Sequence, residues 1–239
     1  MKNKTLNLHL TDRCNFRCKH CFINMNNREL SLEDCIKAVD KIYSLNEYNR
    51  INLAGGEPLM VEYLQELIDY IVDKGFLCSI ITNGSKLTEQ FIRNNKGKLH
   101  MIGLSIDSMD DAINNKIGRK TIVNIEDLCK EIKNNNIVLK INICVTKHNL
   151  DYNFEPLLNQ LNPDRLKLLQ VYPAPHIEKL SDFIISPEEF DSFCKRLIAF
   201  NPQCEDNEHM ESAYWIVDSE GYYGKDNFHS DCQTKTKIV

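Results

Sequence analysis

The stretch of sequence that decides the fold is residues 10–22, which read LTDRCNFRCKHCF. It places Cys14, Cys18 and Cys21 in the spacing C-x3-C-x2-C, directly after a short apolar segment. This spacing brings three thiolates together on one tight loop. Three cysteines bound to a [4Fe–4S] cluster leave one iron without a protein ligand, and that iron is open to a small chelating molecule. The segment therefore predicts an iron–sulfur site that follows a first strand.

A zinc site is the alternative interpretation of the same loop, with His20 or His9 completing a set of four ligands. The other seven cysteines are scattered through mostly apolar segments, and we expect them to be small buried side chains. They are Cys35, Cys78, Cys129, Cys144, Cys194, Cys204 and Cys232. The N-terminus has no secretory signal pattern, and no run of 18 apolar residues predicts a membrane span. We therefore expect a cytoplasmic protein whose thiols stay reduced, without a membrane partner.

Short apolar segments alternate with segments of helical periodicity along most of the chain. The apolar segments predict strands at 5–10, 50–54, 77–82, 101–106, 137–145 and 165–172. The segments between and after them predict helices at 32–45, 61–74, 88–94, 122–134, 154–161 and 187–200. The last helix begins at Ser186-Pro187, a capping residue followed by proline at the first helical position.

Six strand–helix units in sequence predict a parallel sheet with right-handed crossovers. A closed barrel of this kind needs eight units, so we expect an α/β fold built as an open, partial (β/α)6 TIM-like barrel. Residues 1–175 are predicted to form the barrel core. Residues 176–239 are predicted to be a C-terminal extension of the same domain that covers the active site.

Polar motifs follow the predicted strands, and parallel β/α folds collect their chemistry at those strand ends. Gly55-Gly56-Glu57-Pro58 follows the second strand, where glycines allow backbone to approach a ligand closely. Asn83 follows the third strand and Ser105 ends the fourth.

The cysteine triplet, the aromatic residue after it and the GGEP motif resemble the radical S-adenosylmethionine (SAM) superfamily. The resemblance implies a [4Fe–4S] cluster on the three cysteines, with SAM bound to the open iron. It implies that one electron cleaves SAM to methionine and a 5′-deoxyadenosyl radical. Glu57 would pair with the methionine ammonium, and Arg119 would reach the SAM carboxylate or ribose. The implied SAM-binding residues are Phe22, Gly55, Gly56, Glu57, Asn83, Ser105 and Arg119.

Two strands in the second half carry charges on one face. In residues 137–145 the odd positions are apolar, which puts Lys140 and Asn142 together on the other face. In the next strand, Arg165 and Lys167 share a face in the same way. If these faces line the barrel, three buried cations are costly unless an anion meets them. An exposed edge strand with solvated charges fits the pattern equally well.

A narrower set of motifs resembles viperins, the antiviral branch of radical SAM enzymes. It includes Asn7-Leu8-His9, the segments K-x-N at 140–142 and R-x-K at 165–167, and M-x3-Y at 210–214. The resemblance implies that a 5′-deoxyadenosyl radical takes the C4′ hydrogen of a ribonucleoside triphosphate. The 3′-hydroxyl then leaves as water, and one electron and one proton complete a 3′-deoxy-3′,4′-didehydro nucleotide. That product terminates viral RNA synthesis.

The same resemblance assigns residues to the substrate. Tyr214 is the implied hydrogen-atom donor of the last step. The implied nucleotide-binding residues are Asn7, Arg50, Asn52, Lys140, Asn142, Arg165, Lys167 and Asn207. The substrate would be CTP, UTP or GTP, and the reductant would be a protein such as flavodoxin or ferredoxin.

Two other functions stay open at this point. One is a different radical SAM enzyme, such as a peptide or sulfatase maturase or an activase. The other is a binding protein stabilised by zinc or by a cluster. Nucleic acid is not an expected partner, because 34 acidic residues against 29 Lys and Arg give a formal net charge of −5.

Overall fold

The computed structural model describes residues 4–211, 213–225 and 235–239. Six parallel strands follow one another in the sheet in chain order. They are β1 Lys4–Thr11, β2 Tyr48–Gly55, β3 Leu77–Thr82, β4 Leu99–Ser105, β5 Val138–Val145 and β6 Arg165–Gln170. All six predicted strands are present, and their ends differ from the predicted ones by at most two residues.

Four short strands of the C-terminal part extend this sheet at both edges. They are β7 Gln203–Glu205, β8 Trp215–Val217, β9 Tyr222–Lys225 and β10 Thr236–Lys237. β7 pairs parallel with β6, β8 pairs parallel with β1, and β9 and β10 continue antiparallel beyond β8. The sheet is therefore open, with β7 at one edge and β10 at the other among the described residues. The division into a core of 1–175 and an extension of 176–239 stays a prediction.

Helices connect the strands. They are α1 Leu32–Leu45, α2 Leu64–Asp73, α3 Glu89–Asn94, α4 Asp111–Ile117, α5 Ile125–Asn134, α6 Glu155–Leu161, α7 Pro187–Arg196 and α8 Asn207–Met210. α2 begins three residues later than predicted because a turn of 3-10 helix at Pro58–Met60 comes first. α7 ends at Arg196, before a second such turn at Ile198–Phe200. None of the described helices is long and apolar enough to cross a membrane.

The sequence analysis missed α4, although its ends carry recognisable signals. The Asp110 side chain accepts a hydrogen bond from the Ile113 N–H at 3.0 Å and caps its first turn. Gly118 ends it in a left-handed conformation with φ 74°. The helix has only seven residues, most of them polar, which is too short for an apolar period to stand out.

Alternation along the strands separates an apolar face from a polar one. On β5, Leu139, Ile141 and Ile143 are fully buried in the apolar core. Lys140 and Asn142 lie on the opposite face, as predicted from period two. β5 is a central strand between β4 and β6, so this face is not that of an exposed edge strand. The polar face of the sheet therefore lines the barrel interior.

The start of α7 offers a test of the local sequence signals. The Ser186 hydroxyl accepts from the Glu189 N–H at 3.2 Å, and the Glu189 carboxylate accepts from the Ser186 N–H at 2.7 Å. We expect Ser186→Ala to lower the free energy of unfolding by about 1 kcal/mol, because one helix-end donor loses its acceptor. Urea denaturation measures this loss. Ser186→Asp keeps an acceptor oxygen and should lose much less; equal losses would contradict the capping role.

Candidate active site

The three cysteines lie on the loop that leaves the end of β1. Cys14, Cys18 and Cys21 are all partly exposed, and none is in a disulfide. The Cys21 N–H donates to the Cys18 carbonyl at 3.1 Å, which folds the loop into a turn. The thiols therefore lie at the carboxyl end of the sheet, where the sequence placed them.

The GGEP motif at the end of β2 packs directly on this loop. The Gly56 N–H donates to the Thr11 carbonyl at 2.6 Å, and the Glu57 N–H donates to the Arg13 carbonyl at 2.8 Å. A Cβ atom added at Gly56 would lie 2.0 Å from the Arg13 carbonyl oxygen. The glycines predicted to let backbone approach a ligand therefore bring β2 against the cysteine loop. Direct contact of Gly55 and Gly56 with SAM stays a prediction.

Glu57 is fully buried beneath the cysteine loop. Its carboxylate accepts hydrogen bonds from the Thr82 hydroxyl at 2.6 Å and the Asn83 N–H at 2.7 Å. It also accepts from the Leu59 N–H at 3.1 Å. Burial raises the pKa of Glu57, and these hydrogen bonds oppose the rise. The side chain thereby connects the end of β2 to the end of β3. Its pairing with a methionine ammonium stays a prediction.

Asn83 lies close to the first cysteine. Its amide nitrogen donates to the Asn15 side-chain oxygen at 2.9 Å and lies 3.7 Å from the Cys14 sulfur. Its amide oxygen accepts from the Ser85 hydroxyl at 2.6 Å. Phe22 is 42% exposed and lines a surface pocket beside the loop. The structure thus brings both predicted residues to the cysteine loop.

Arg119 is held under the cysteine loop by a buried ion pair. Its Nε atom lies 2.6 Å from an Asp107 carboxylate oxygen, and its Nη1 atom donates to the Ser105 carbonyl at 2.9 Å. His20 lies on the other side of Asp107, with its Nε2 atom 3.3 Å from the same carboxylate oxygen. The Cys144 N–H donates to the second oxygen of Asp107 at 2.8 Å. Four chain segments therefore meet at one carboxylate.

This network sets the charges next to the thiols. Burial alone would raise the pKa of Asp107, but Arg119 and His20 outweigh it and lower the pKa to about 2. Burial raises the pKa of Cys18 to about 12, with Arg119 opposing the rise, and burial also raises the pKa of Cys21. Iron binding at these thiols must therefore release protons.

The donor set fits a [4Fe–4S] cluster better than a single zinc ion. No group of three or more His, Cys, Asp or Glu side chains in the described part of the chain is placed to hold one metal ion. His20, a candidate fourth zinc ligand, faces Asp107 instead. A cluster binds each thiolate to a different iron, so its three sulfurs do not have to converge on one point. Three partly exposed thiols on one loop meet that requirement.

Polar side chains line the barrel below the cysteine loop. The Asn52 amide nitrogen donates to the Asn7 side-chain oxygen at 2.8 Å across the β1–β2 pair. Asn142 on β5 and Ser79 on β3 are buried. The Asn142 amide oxygen and the Ser79 hydroxyl have no hydrogen-bond partner in the described residues. Buried polar atoms of this kind normally have partners, which indicates a polar ligand in the interior.

Four cations from three strands form what we call the cation cluster: Arg50, Lys140, Arg165 and Lys167. Lys140 and Arg165 are register partners on β5 and β6. Lys167 is buried, Arg50 and Lys140 are half-buried, and Arg165 is exposed at the start of its strand. Burial, together with the nearby charge of Lys167, lowers the pKa of Lys140 to about 7, and Glu205 opposes this fall.

Within the described residues, Lys167 is the cation of this cluster that forms an ion pair. Its Nζ atom lies 2.7 Å from a Glu205 carboxylate oxygen and donates to the Tyr214 hydroxyl at 2.7 Å. The Tyr214 hydroxyl in turn donates to the same Glu205 oxygen. The predicted donor tyrosine and the predicted phosphate ligand therefore touch each other.

Asn207 begins α8 and anchors it to the end of β6. Its N–H donates to the Gln170 side-chain oxygen at 3.0 Å, and its amide nitrogen lies 3.3 Å from the Val171 carbonyl. The amide oxygen of Asn207 is buried and has no hydrogen-bond partner in the described residues. Its contact with a nucleotide stays a prediction.

Sequence reasoning missed several residues of this site. Glu205 is the main one, because it lies on a three-residue strand with no visible period. His100 on β4 was also missed, and Arg50 and Arg165 lie near enough to help lower its pKa. Asp107 directly follows the predicted fourth strand, but only the fold shows that Arg119 and His20 contact it.

Comparison with known proteins agrees with this geometry. Residues 8–161 match the family model of the radical SAM superfamily, which is more than half of the chain. The chain belongs to the radical SAM superfamily. A solved structure of anSMEcpe with bound AdoMet and a Kp18Cys peptide aligns with a TM-score of 0.76, over 98% of this chain and 77% of that one. The two are 16% identical, so this likeness shows the fold alone, and it confirms the predicted partial barrel.

Two curated relatives narrow the family. An S-adenosylmethionine-dependent nucleotide dehydratase from Thermoplasmatales archaeon (strain ISO4-H5) is 33% identical, over 92% of this chain and 85% of the relative. A protein of the same name from Lacinutrix mariniflava is 34% identical, over 93% of this chain and 50% of the relative. Within the radical SAM superfamily, this chain belongs to the family of these dehydratases, which confirms the viperin-like resemblance.

The cluster assignment predicts a selective effect of cysteine replacement. After anaerobic reconstitution, we expect Cys18→Ser to lose most cluster-bound iron and the broad visible absorbance of the radical SAM enzyme, because one of three thiolate ligands is gone. Iron and sulfide analysis measures the loss. The exposed Cys204 provides the matched control, and Cys204→Ser should keep full iron content. Full iron content in Cys18→Ser would contradict the assignment.

The Asp107 network predicts that replacing this carboxylate lowers the stability of the fold and removes part of the pH dependence of that stability. We expect Asp107→Asn to lower the free energy of unfolding by about 3 kcal/mol, because it leaves the buried Arg119 charge unpaired. The folded-state pKa of about 2 lies below the unfolded value of about 3.9. The ion pair therefore stabilises the fold above about pH 4, and that contribution is lost as pH falls towards 2.

Denaturant titrations from pH 6 to pH 3 measure both effects. The wild type should lose stability faster than Asp107→Asn at the acidic end. Parallel curves for the two proteins would contradict the role given to this carboxylate. Asp127→Asn is the matched control, since Asp127 is an exposed residue that faces Lys130 at 3.7 Å on α5.

Proposed function

We propose that this chain dehydrates a ribonucleoside triphosphate by radical chemistry. The observation that carries the proposal is the cation cluster, in which Arg50, Lys140 and Arg165 have no ion-pair partner among the described residues. Charges in a half-buried site are costly without a counterion. A triphosphate carries several negative charges and acceptor oxygens that Lys and Arg bind well.

The spacing along β5 supports a substrate that reaches from these cations to the cysteine loop. Lys140, Asn142 and Cys144 follow one another on the same face of the strand. Cys144 lies near the cysteine loop, because Cys18 and Cys21 both contribute to the rise in the pKa of Cys144. Lys140, at the other end of this row, belongs to the cation cluster. Four residues of strand span about 13 Å at roughly 3.3 Å per residue. A nucleotide sugar between these two ends fits the polar interior.

In this proposal Cys14, Cys18 and Cys21 hold the [4Fe–4S] cluster, and the strand-end residues around them hold SAM. Cluster and SAM, when bound, supply the radical that removes the C4′ hydrogen of the nucleotide. Lys140, Arg165 and Lys167 bind the triphosphate and thereby fix the ribose. Such positioning, with water excluded, is the main contribution the protein makes to radical chemistry.

The proposal also gives roles to three asparagines of the barrel interior, to Tyr214 and to an external reductant. Asn7, Asn52 and Asn142 offer amide groups to the ribose or phosphates from the strands between the two ends. Tyr214 supplies the last hydrogen atom, so that the 3′-hydroxyl leaves as water and a 3′,4′ double bond remains. A reductant of the flavodoxin or ferredoxin type supplies the electron that starts the reaction.

The direct test is anaerobic incubation of the reconstituted protein with SAM, dithionite and CTP, UTP or GTP in turn. Mass spectrometry should find a nucleoside triphosphate that has lost one water, together with 5′-deoxyadenosine. The preferred base is the one with the highest yield. Cleavage of SAM without a dehydrated product from any of the three would overturn the proposal.

The phosphate-binding role predicts a selective loss of affinity. We expect Lys140→Met to weaken binding of the preferred triphosphate about 10- to 100-fold, because one charge-assisted contact is lost. Isothermal titration calorimetry measures the dissociation constants. Binding of the corresponding nucleoside should change little. Lys130→Met on the exposed face of α5 is the matched control and should bind like wild type. An unchanged affinity of Lys140→Met for triphosphate would contradict the role.

A further inference from the structure

We infer that Glu205 is a positioning residue that orients Tyr214 and takes its phenolic proton in the last step of the reaction. This inference rests on the proposed function, and it adds a residue that neither the motifs nor the comparisons assign. Glu205 accepts a hydrogen bond from the Tyr214 hydroxyl, and the same oxygen lies 2.7 Å from the Lys167 ammonium. The Glu205 and Lys167 side chains are only 13% and 10% exposed.

The three side chains form a closed triangle. The Lys167 ammonium donates to the Tyr214 hydroxyl at 2.7 Å and lies 4.8 Å from the centre of the Tyr214 ring. An ammonium group has donors but no acceptor lone pair, so Lys167 cannot take a proton from tyrosine. The Glu205 carboxylate is therefore the acceptor in this triangle. Lys167 fixes the carboxylate and also binds the proposed triphosphate, which links substrate binding to the geometry of Tyr214.

The fold fixes Glu205 more firmly than a surface loop would. Glu205 ends β7 and is the register partner of Leu169 on β6. Directly after it, the Asp206 side chain accepts from the His209 N–H at 2.8 Å and caps α8. The backbone of Glu205 is thus held between a strand pair and a capped helix.

The contact also bridges the opening of the barrel. Tyr214 immediately precedes β8, which pairs with β1, whereas Glu205 ends β7, which pairs with β6. β8 and β7 are separated in the sheet by all six strands of the barrel. The hydrogen bond between Tyr214 and Glu205 therefore joins the two sides of the open sheet at the place where the cation cluster lies.

In this inference the last hydrogen atom leaves Tyr214 as one electron and one proton, and the proton needs an acceptor. A tyrosine hydroxyl has an ordinary pKa of about 10, so it is protonated at neutral pH. When Tyr214 gives one electron to the nucleotide, its O–H bond breaks and the proton passes to the Glu205 carboxylate. The C3′–O bond breaks, and the departing hydroxyl takes up one proton and leaves as water. That proton comes from the protonated Glu205, which returns to a carboxylate, so one electron and one proton from Tyr214 balance the step and leave a neutral tyrosyl radical.

The test compares Glu205→Gln, Glu205→Asp and Tyr214→Phe with wild type in the anaerobic assay. The readout is the amount of dehydrated nucleotide formed per 5′-deoxyadenosine. We expect Glu205→Gln to continue cleaving SAM while this ratio falls about 100-fold, at the lower end of what a positioned acid–base group contributes. Tyr214→Phe should behave alike, and Glu205→Asp should recover a substantial part of the ratio because it keeps a carboxylate.

Two measurements separate this role from a structural one. Calorimetry should give Glu205→Gln a triphosphate affinity no weaker than wild type. Its thermal unfolding midpoint without nucleotide should fall, because the buried Lys167 charge loses its partner; the product ratios are therefore compared at a temperature at which every variant stays folded. The matched control is Glu208→Gln, at an exposed position on α8, which should keep the full product ratio. The inference would be overturned if Glu205→Gln kept the wild-type ratio of dehydrated nucleotide to 5′-deoxyadenosine. It would also be overturned if weaker nucleotide binding accounted for the loss of product. A wild type that makes no dehydrated nucleotide would instead overturn the proposed function, and this inference with it.

Discussion

The organisation of the site depends on uncompensated positive charge inside an open barrel. Arg50, Lys140 and Lys167 project from strands whose other face packs mainly apolar side chains, so the chain cannot turn them to solvent without losing its core. The exposed Arg165 lies beside them. Burial and mutual repulsion already lower the pKa of Lys140 to about 7. Within the described residues, Glu205 is the carboxylate that pairs with this cluster, and it reaches only Lys167. An anionic substrate would relieve the remaining repulsion, which is why the charge pattern indicates substrate class more directly than any single motif.

At the other end of the barrel, hydrogen bonds and one paired charge hold the cysteine loop, in contrast to the unpaired cations of the cluster. The cysteine loop has no regular secondary structure, yet it rests on backbone hydrogen bonds from Gly56 and Glu57 and lies above the Arg119–Asp107 ion pair. Glu57 and Asp107 are buried and hold these supports in place without a bound cluster. Such preorganisation matters for radical chemistry, because a reactive intermediate must meet one C–H bond before it meets water. Under the proposed function, the two ends of the barrel hold SAM and the nucleotide at a fixed position relative to each other.

The sequence predicted the repetitive parts of the fold and the chemistry carried by local spacing. Six strands, the cysteine triplet and the alternation around Lys140 were all visible because each depends on residues close in sequence. α4 was missed because seven mostly polar residues show no apolar period, and β7 to β10 were missed because strands of two to four residues show no alternation. The pairing of Lys167 with Glu205 depends on sheet register between segments 38 positions apart, which no local pattern encodes. The place of Glu57 beneath the loop likewise depends on tertiary contacts with Thr82 and Asn83.

The position of Tyr214 connects these observations. An open sheet leaves its two edges to be joined by whatever the C-terminal part provides, and here the described residues join them through Tyr214, Glu205 and Lys167. A phosphate that draws the Lys167 ammonium towards itself would weaken its hold on Glu205 and so alter the hydrogen bond that orients the phenol. Substrate binding and readiness of the donor would then be coupled through one lysine.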